Sequence, residues 1–193
     1  MTYQERQWMP NSIYHITARG NHGDNIFRQE DDFENYCSIL NNNILYFKDK
    51  FEVYCYCLMS NHVHLVMKIM DQSTGNFFAR LHGIYARNYN SKYDYTGHLF
   101  QDRYFAKLIS SDEQFLTVSR YVHLNPVKAK IVENPEAYKW SSYSMFTGNK
   151  QERIIDASKI LFHFKESGNC REAYKKFVEG VANNNKLLPP RDM

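Results

Sequence analysis

The sequence predicts an α+β fold in which a four-stranded antiparallel sheet carries helices on one face. Three observations predict it. The hydrophobic pattern switches between period 2 and period 3.6 in the order β-α-β-β-α-β-α. Turn signals at Gly20-Asn21, Ser60-Asn61 and Gly97 separate the segments. A length of 193 residues, 43% of them apolar and 16% aromatic, supports one well-filled core and little more.

Ser12 to Arg19 is β-branched and aromatic and stops at Gly20-Asn21, which predicts the first strand. Behind an acidic first turn, Phe33, Tyr36, Cys37, Leu40, Ile44, Leu45 and Phe47 recur at helical spacing and predict a helix over 31–47. Phe51 to Met59 and His62 to Ile69 are two further strands joined by the short turn Ser60-Asn61. Thr74 to Tyr93 gathers Phe77, Phe78, Leu81, Ile84, Tyr85 and Tyr89 on one helical face. After Gly97, Tyr104 to Ser110 reads as the fourth strand. Ser111 is a natural N-cap, with Asp112 and Glu113 in the first turn beyond it. That helix is expected to run to about Leu124, where Asn125-Pro126 either ends it or kinks it before helix resumes through Val132. Residues 133–149 read as a loop packed down by Trp140, Tyr143 and Phe146. Two helical stretches follow, Ala157 to Phe164 and Cys170 to Val181, and the tail from Asn183 reads as frayed. The order is that of the split β-α-β, ferredoxin-like arrangement. The boundary is placed near residue 150, with 1–149 as the domain and 150–193 as a helical C-terminal appendage.

Composition excludes several classes. No run of 18 apolar residues occurs, so no membrane span is expected. Met1 to Arg6 lacks an apolar stretch behind a basic one, so no secretory signal is expected. Cys55 and Cys57 form C-x-C with no second pair, which fits neither a zinc knuckle nor a disulfide framework; these two, Cys37 and Cys170 read as structural thiols. The net charge of +3 is unevenly spread. Residues 1–75 hold 6 basic and 9 acidic residues, residues 76–132 hold 8 and 4, and residues 133–193 hold 10 and 8. A polyanion partner is thus permitted towards the middle and end, and the many aromatics could stack unpaired bases there.

Two segments carry chemistry. In Asn61-His62-Val63-His64-Leu65-Val66, a strand places His62 and His64 on one face, with Cβ atoms roughly 7 Å apart. Two such imidazoles can share a transition metal and leave positions open for oxygen ligands; the same pattern also fits a histidine pair that holds no metal. In Arg120-Tyr121-Val122-His123-Leu124-Asn125-Pro126, Tyr121 and Asn125 stand at i and i+4 on one helical face. A phenol is a weak nucleophile at neutral pH, and a divalent cation polarises the phosphoryl group whose phosphorus it would attack. Asn125 could then bring a third, uncharged ligand. The plainer reading makes Tyr121 a core residue and Asn125 a helix C-cap. No P-loop pattern occurs anywhere.

Taken together and in order, these segments resemble the HUH-type nucleases, and among them the single-tyrosine transposases, REP-associated tyrosine transposases above all. The resemblance spans about residues 12–145. Ser12 to Asn21 is similar to the family's first strand and R-G-N turn, and Leu58 to His64 to its L-M-x-N-H-x-H segment. Gly97 to Tyr104 is similar to its G-x-L-F-Q-x-R-Y loop, Tyr121 to Ala129 to its Y-I-H-x-N-P-V-K/R-A helix, and Trp140 to Tyr143 to its W-S-S-Y. The resemblance implies that His62, His64 and Asn125 hold Mg²⁺ or Mn²⁺, with asparagine where insertion-sequence relatives more often carry glutamine. It implies that Tyr121 is the nucleophile, attacking single-stranded, hairpin-forming DNA to leave a 5′-phosphotyrosine and a free 3′-hydroxyl. It also implies a cytoplasmic, nucleoid-associated protein, acting as a monomer or homodimer.

Tyr104, Tyr138 and Tyr143 compete with Tyr121 by proximity in sequence, but only Tyr121 has an oxygen ligand at i+4. His123 points away from Tyr121 on a helix and is not expected to be a ligand. Arg19, Asn21, Arg103, Arg120, Lys128 and Lys130 are candidate DNA contacts. Three other readings stay open: a protein of this fold that binds hairpin DNA or RNA without turnover, a metal-dependent hydrolase in which water attacks, and a replication-initiator relative.

Overall fold

The computed structural model describes residues 8–48, 50–70, 74–151 and 154–182. The frayed tail expected from Asn183 lies outside them. Within them, strands β1 (Ser12–Arg19), β2 (Phe51–Met59), β3 (His62–Ile69) and β4 (Phe105–Ile109) form one antiparallel sheet in the order β2-β3-β1-β4. Helices α1 (Glu30–Phe47) and α2 (Thr74–Tyr93) are the two crossovers. This is the split β-α-β arrangement that the alternating periods predict.

Alternation along β3 explains how the sheet divides its two faces. Val63, Leu65, Met67 and Ile69 are fully buried towards α1 and α2. Phe51, which pairs with Ile69, meets Phe77 of α2 at a ring-centroid distance of 4.4 Å. Asn43 of α1 donates to the Phe77 carbonyl at 2.9 Å, tying the two helices together beneath this face. The other residues of β3, His62, His64, Val66 and Lys68, face the opposite way.

That opposite face receives α3 (Asp112–Lys128). Ser111 caps it as expected, its hydroxyl accepting from the Gln114 N–H at 3.1 Å. The helix does not stop at Leu124. Pro126 lies inside it, and the helix ends two residues later, at Lys128. A proline this near the end removes a single backbone bond, and the Ala129 N–H still closes on the Asn125 carbonyl at 2.9 Å. The chain then turns through Lys130, whose φ of 58° is left-handed.

The segment expected as a loop contains a 3₁₀ turn at Pro135–Ala137 and a short helix, α4 (Tyr143–Thr147). The next expected helix divides into α5 (Ser158–Leu161) and a 3₁₀ stretch at Phe162–Ser167. The last, α6 (Cys170–Ala182), docks on α3 with Tyr174 and Val178 fully buried. The two crossover helices thus share one face, and α3 with the C-terminal helices adds a layer on the other. Among the described residues, no helix is long and apolar enough to cross a membrane.

The turn after β1 sets the end of the sheet where the site lies. The Gly20 N–H donates to the Asn61 carbonyl at 2.8 Å, and the Asn21 N–H to that of Leu99 at 2.9 Å. A Cβ on Gly20 would run into the Asp24 carbonyl oxygen and lie 2.9 Å from Ile26 Cγ2. Gly20→Ala therefore overpacks a backbone contact. It is expected to cost about 1–3 kcal/mol, read as a lower urea midpoint at unchanged slope.

Candidate active site

β3, β1 and α3 meet at the end of the sheet where β3 begins. His62 and His64 stand two residues apart on β3, their ring centroids 4.9 Å apart. α3 lays Tyr121 against them. Its ring meets His64 edge-on at 5.5 Å and His15 of β1 at 6.0 Å. One turn further on, Asn125 is within hydrogen-bonding reach of His62. Period 2 on the strand and the i, i+4 relation on the helix therefore bring the two sequence signals to one place.

Each imidazole is held from behind. The Asn61 amide nitrogen donates to the Gly23 carbonyl at 3.2 Å, which fixes Asn61 Oδ1 as an acceptor. His62 Nδ1–H donates to that oxygen at 2.6 Å, so the lone pair of His62 sits on Nε2. His64 Nδ1 shares a hydrogen bond of 3.0 Å with His15 Nε2. A proton on His64 Nδ1 leaves the His64 Nε2 lone pair bare. That Nε2 is buried without a partner, and so is the Asn125 amide nitrogen. An unpartnered buried polar atom costs about 1–3 kcal/mol, and here two fall within one cluster. Rotating the Asn125 amide exchanges its oxygen and nitrogen, so the unpartnered position can equally present an oxygen.

The electrostatics keep these rings neutral. Burial lowers His15 to about 4, helped by the nearby Lys107 ammonium. Burial also lowers His62 to about 4, with the Arg19 guanidinium adding to it. His64 is pushed well below the ordinary histidine value by burial, then by His15, His62 and Lys128. At neutral pH, three uncharged imidazoles thus line a cluster edged by cations. Among the described residues, no three His, Cys, Asp or Glu side chains converge as a metal-binding set. The His62 and His64 rings and the Asn125 amide nonetheless lie side by side there.

The structure sorts the remaining residues singled out in the sequence. Lys128 reaches back over the Tyr121 ring, its Nζ 4.6 Å from the centroid. Arg19 is exposed at the end of β1, opposite His62 in the register. Asn21 lies in the turn just beyond. Arg103 lines a groove between α2 and residues 97–104 whose lining does not include His15, His62 or His64. Arg120 is not brought to the site. It lies on another flank of α3, with its guanidinium over the Phe177 ring of α6 at 4.4 Å. Lys130 is exposed in the turn after α3. His123 faces away, as expected, and is fully buried between Tyr174 Oη and Ser142 Oγ, each at 2.8 Å. Together with the Arg120–Phe177 contact, this network braces α3 from the side opposite the site.

Sequence reasoning missed His15 and Asn61, which hold the two imidazoles. The only signal for His15 was a histidine inside a β-branched run. Its partner is fixed by strand register, which the sequence does not display.

Among solved structures, the fold is similar to that of a REP-associated tyrosine transposase bound to a REP hairpin. The TM-score is 0.61 at 13% identity, covering 83% of this chain and 93% of that one. A candidate transposase from Deinococcus radiodurans R1 has a TM-score of 0.43 at 18% identity, covering 63% of this chain and 95% of that one. No curated protein matches the chain. A family model described as "Transposase IS200 like" matches residues 9–125. The chain belongs to that family of DNA-processing enzymes.

Proposed function

We propose that this protein cleaves and rejoins single-stranded, hairpin-forming DNA through a covalent 5′-phosphotyrosine on Tyr121. His62, His64 and Asn125 would hold Mg²⁺ or Mn²⁺. One observation carries the reading. The ring of Tyr121 stands edge-on to His64 beside two buried polar atoms, on His64 and Asn125, that have no partner. This donor set fits a cation that accepts mixed nitrogen and oxygen ligation. Neutral rings with their lone pairs turned inwards and their other nitrogens held from behind are the form that metal-bound histidines take. A hairpin partner rests on analogy with the solved transposase, which is bound to a REP hairpin.

A divalent cation there supplies Lewis acidity at the phosphoryl oxygen and offsets charge on the departing 3′ oxygen. The chain's own groups do the rest. The Tyr121 oxygen bonds to phosphorus as the P–O3′ bond breaks; the phenolic proton leaves to solvent, and the 3′ oxygen takes one up. The Lys128 ammonium over the ring offsets negative charge as the phenol gives up its proton. Attack by another 3′-hydroxyl reverses the step and rejoins the strand. The covalent bond conserves the energy, so no nucleotide cofactor is needed.

The test is incubation with a pool of labelled single-stranded hairpins in Mg²⁺, Mn²⁺ or EDTA, resolved on a denaturing gel. The expected result is a shifted covalent band that requires metal. Free cleavage products without an adduct would replace this reading with hydrolysis by water. Binding without reaction in any metal would replace it with a binding protein. His15→Ala removes the hydrogen bond behind His64. It is expected to raise the Mn²⁺ concentration for half-maximal adduct about ten- to a hundredfold, read by metal titration.

A further inference from the structure

α3 packs mainly over β2 and β3, and on the β1–β4 half of that sheet face Arg19, Phe105 and Lys107 are exposed. The register places a particular set of side chains there. Phe105 of β4 stands opposite Thr17 of β1, and Thr17 stands opposite His64 of β3. Residues directly opposite one another share a face, so Phe105, Thr17 and His64 form one row. Phe105 lies two strands from His64, a separation of about 10 Å, which neighbouring nucleotides of a single strand can span. Phe105 is 56% exposed. In the next rows Lys107 stands opposite His15, and Arg19 stands opposite His62; both are exposed. The charged side chains that β1, β3 and β4 direct to this face are Arg19, Lys68 and Lys107, all positive.

Resting on the proposed function, we infer that the exposed strip of Arg19, Phe105 and Lys107 is a single-strand platform. Phe105 stacks an unpaired base next to the scissile phosphodiester, and Lys107 and Arg19 contact the flanking phosphates. A lone exposed phenylalanine is unremarkable in itself. What singles out this one is its row, which continues directly into the proposed metal site, and the Lys107 and Arg19 cations in the rows beside it; Glu52 of β2 lies opposite Lys68, at the far end of the face. Aromatic rings beside cations are the means by which proteins hold unpaired bases without reading their sequence.

The experiment measures fluorescence anisotropy in EDTA with two labelled probes. One is oligothymidylate of about 20 nucleotides, longer than a typical single-strand site. The other is an abasic phosphodiester oligomer of equal length. The wild-type protein is expected to prefer oligothymidylate. Phe105→Ala is expected to weaken oligothymidylate binding about five- to a hundredfold and leave abasic binding unchanged, while Phe105→Trp retains the preference. Lys107→Gln is expected to weaken both probes and reduce the salt slope by about 0.7. The platform is overturned if the wild-type protein binds neither probe, if Phe105→Ala binds oligothymidylate as the wild type does, or if it loses both probes equally. Binding in EDTA needs no cleavage, so the two readings fail separately. A base preference without any adduct keeps the platform and removes the transesterase. An adduct without a base preference does the reverse.

Discussion

Tyr121→Phe is expected to abolish the covalent protein–DNA adduct, by at least about 10³-fold, and to leave folding and oligothymidylate binding unchanged. The substitution removes a single oxygen. The ring that remains keeps its edge-on contacts with His64 and His15 and its place beneath the Lys128 ammonium. Tyr121 is half-buried, so the change in stability is expected to stay within about 0.5 kcal/mol. Loss of the adduct at unchanged thermal midpoint would therefore report chemistry, not unfolding.

The competing tyrosines supply the control. Tyr138 donates its hydroxyl to the Leu58 carbonyl at 2.8 Å, and burial raises its ionisation well above the ordinary phenol value. Tyr143 donates to Glu179 at 3.1 Å, and burial followed by that carboxylate raises it further still. Tyr104 packs on Phe78 at 3.9 Å, on the α2 side of the sheet. None of these three presents an available oxygen beside the imidazoles. Phenylalanine at 104, 138 or 143 is expected to leave adduct formation intact at permissive temperature. An adduct that survives Tyr121→Phe and disappears with one of the others would move the nucleophile.

Period and spacing made much of this legible in the sequence. Ser12 to Arg19 and His62 to Ile69 are strands by alternation alone. Alternation also fixes that His62 and His64 share a face, and helical geometry that Tyr121 and Asn125 share one. The features that escaped depend on pairing between distant segments. His15 reaches His64 only because β1 lies beside β3 with Thr17 opposite His64. Phe105 joins the same row only through the pairing of β4 with β1. Arg120 shows the opposite failure. It is adjacent to Tyr121 in sequence, yet neighbouring helical residues point about 100° apart, and it ends on α6 instead of at the site. Pro126 marks a boundary in sequence terms, but its cost depends on its place in the helix, and in the last turn that cost is small.

Acid is expected to unfold this protein earlier than its carboxylates would. Burial lowers His15 and His62 to about 4 and His82 and His123 to about 3, and it pushes His64 well below the ordinary value. In the unfolded chain each titrates near 6.5. Between those values the unfolded state binds more protons than the folded one, so stability falls as pH falls. The stabilising effect is fully present above pH 6.5 and is lost progressively below it, down to about pH 4 and further for His82 and His123. Each group contributes up to about 1.4 kcal/mol per pH unit in that window. By pH 5 each has cost about 2 kcal/mol, so His15, His62, His82 and His123 together cost about 8 kcal/mol, comparable with a typical total stability of about 5–15 kcal/mol. Urea midpoints measured from pH 8 to pH 5 are expected to be level down to about 6.5 and then to drop steeply. Ordinary carboxylates titrate near 4, so a drop that begins between pH 6.5 and 5 reports the histidines. Level midpoints down to pH 5 would mean that these rings gain protons without unfolding the chain. The Nε2 atoms on His62 and His64 would then be open to protons in the native state, against the buried, neutral cluster on which the proposed metal site depends.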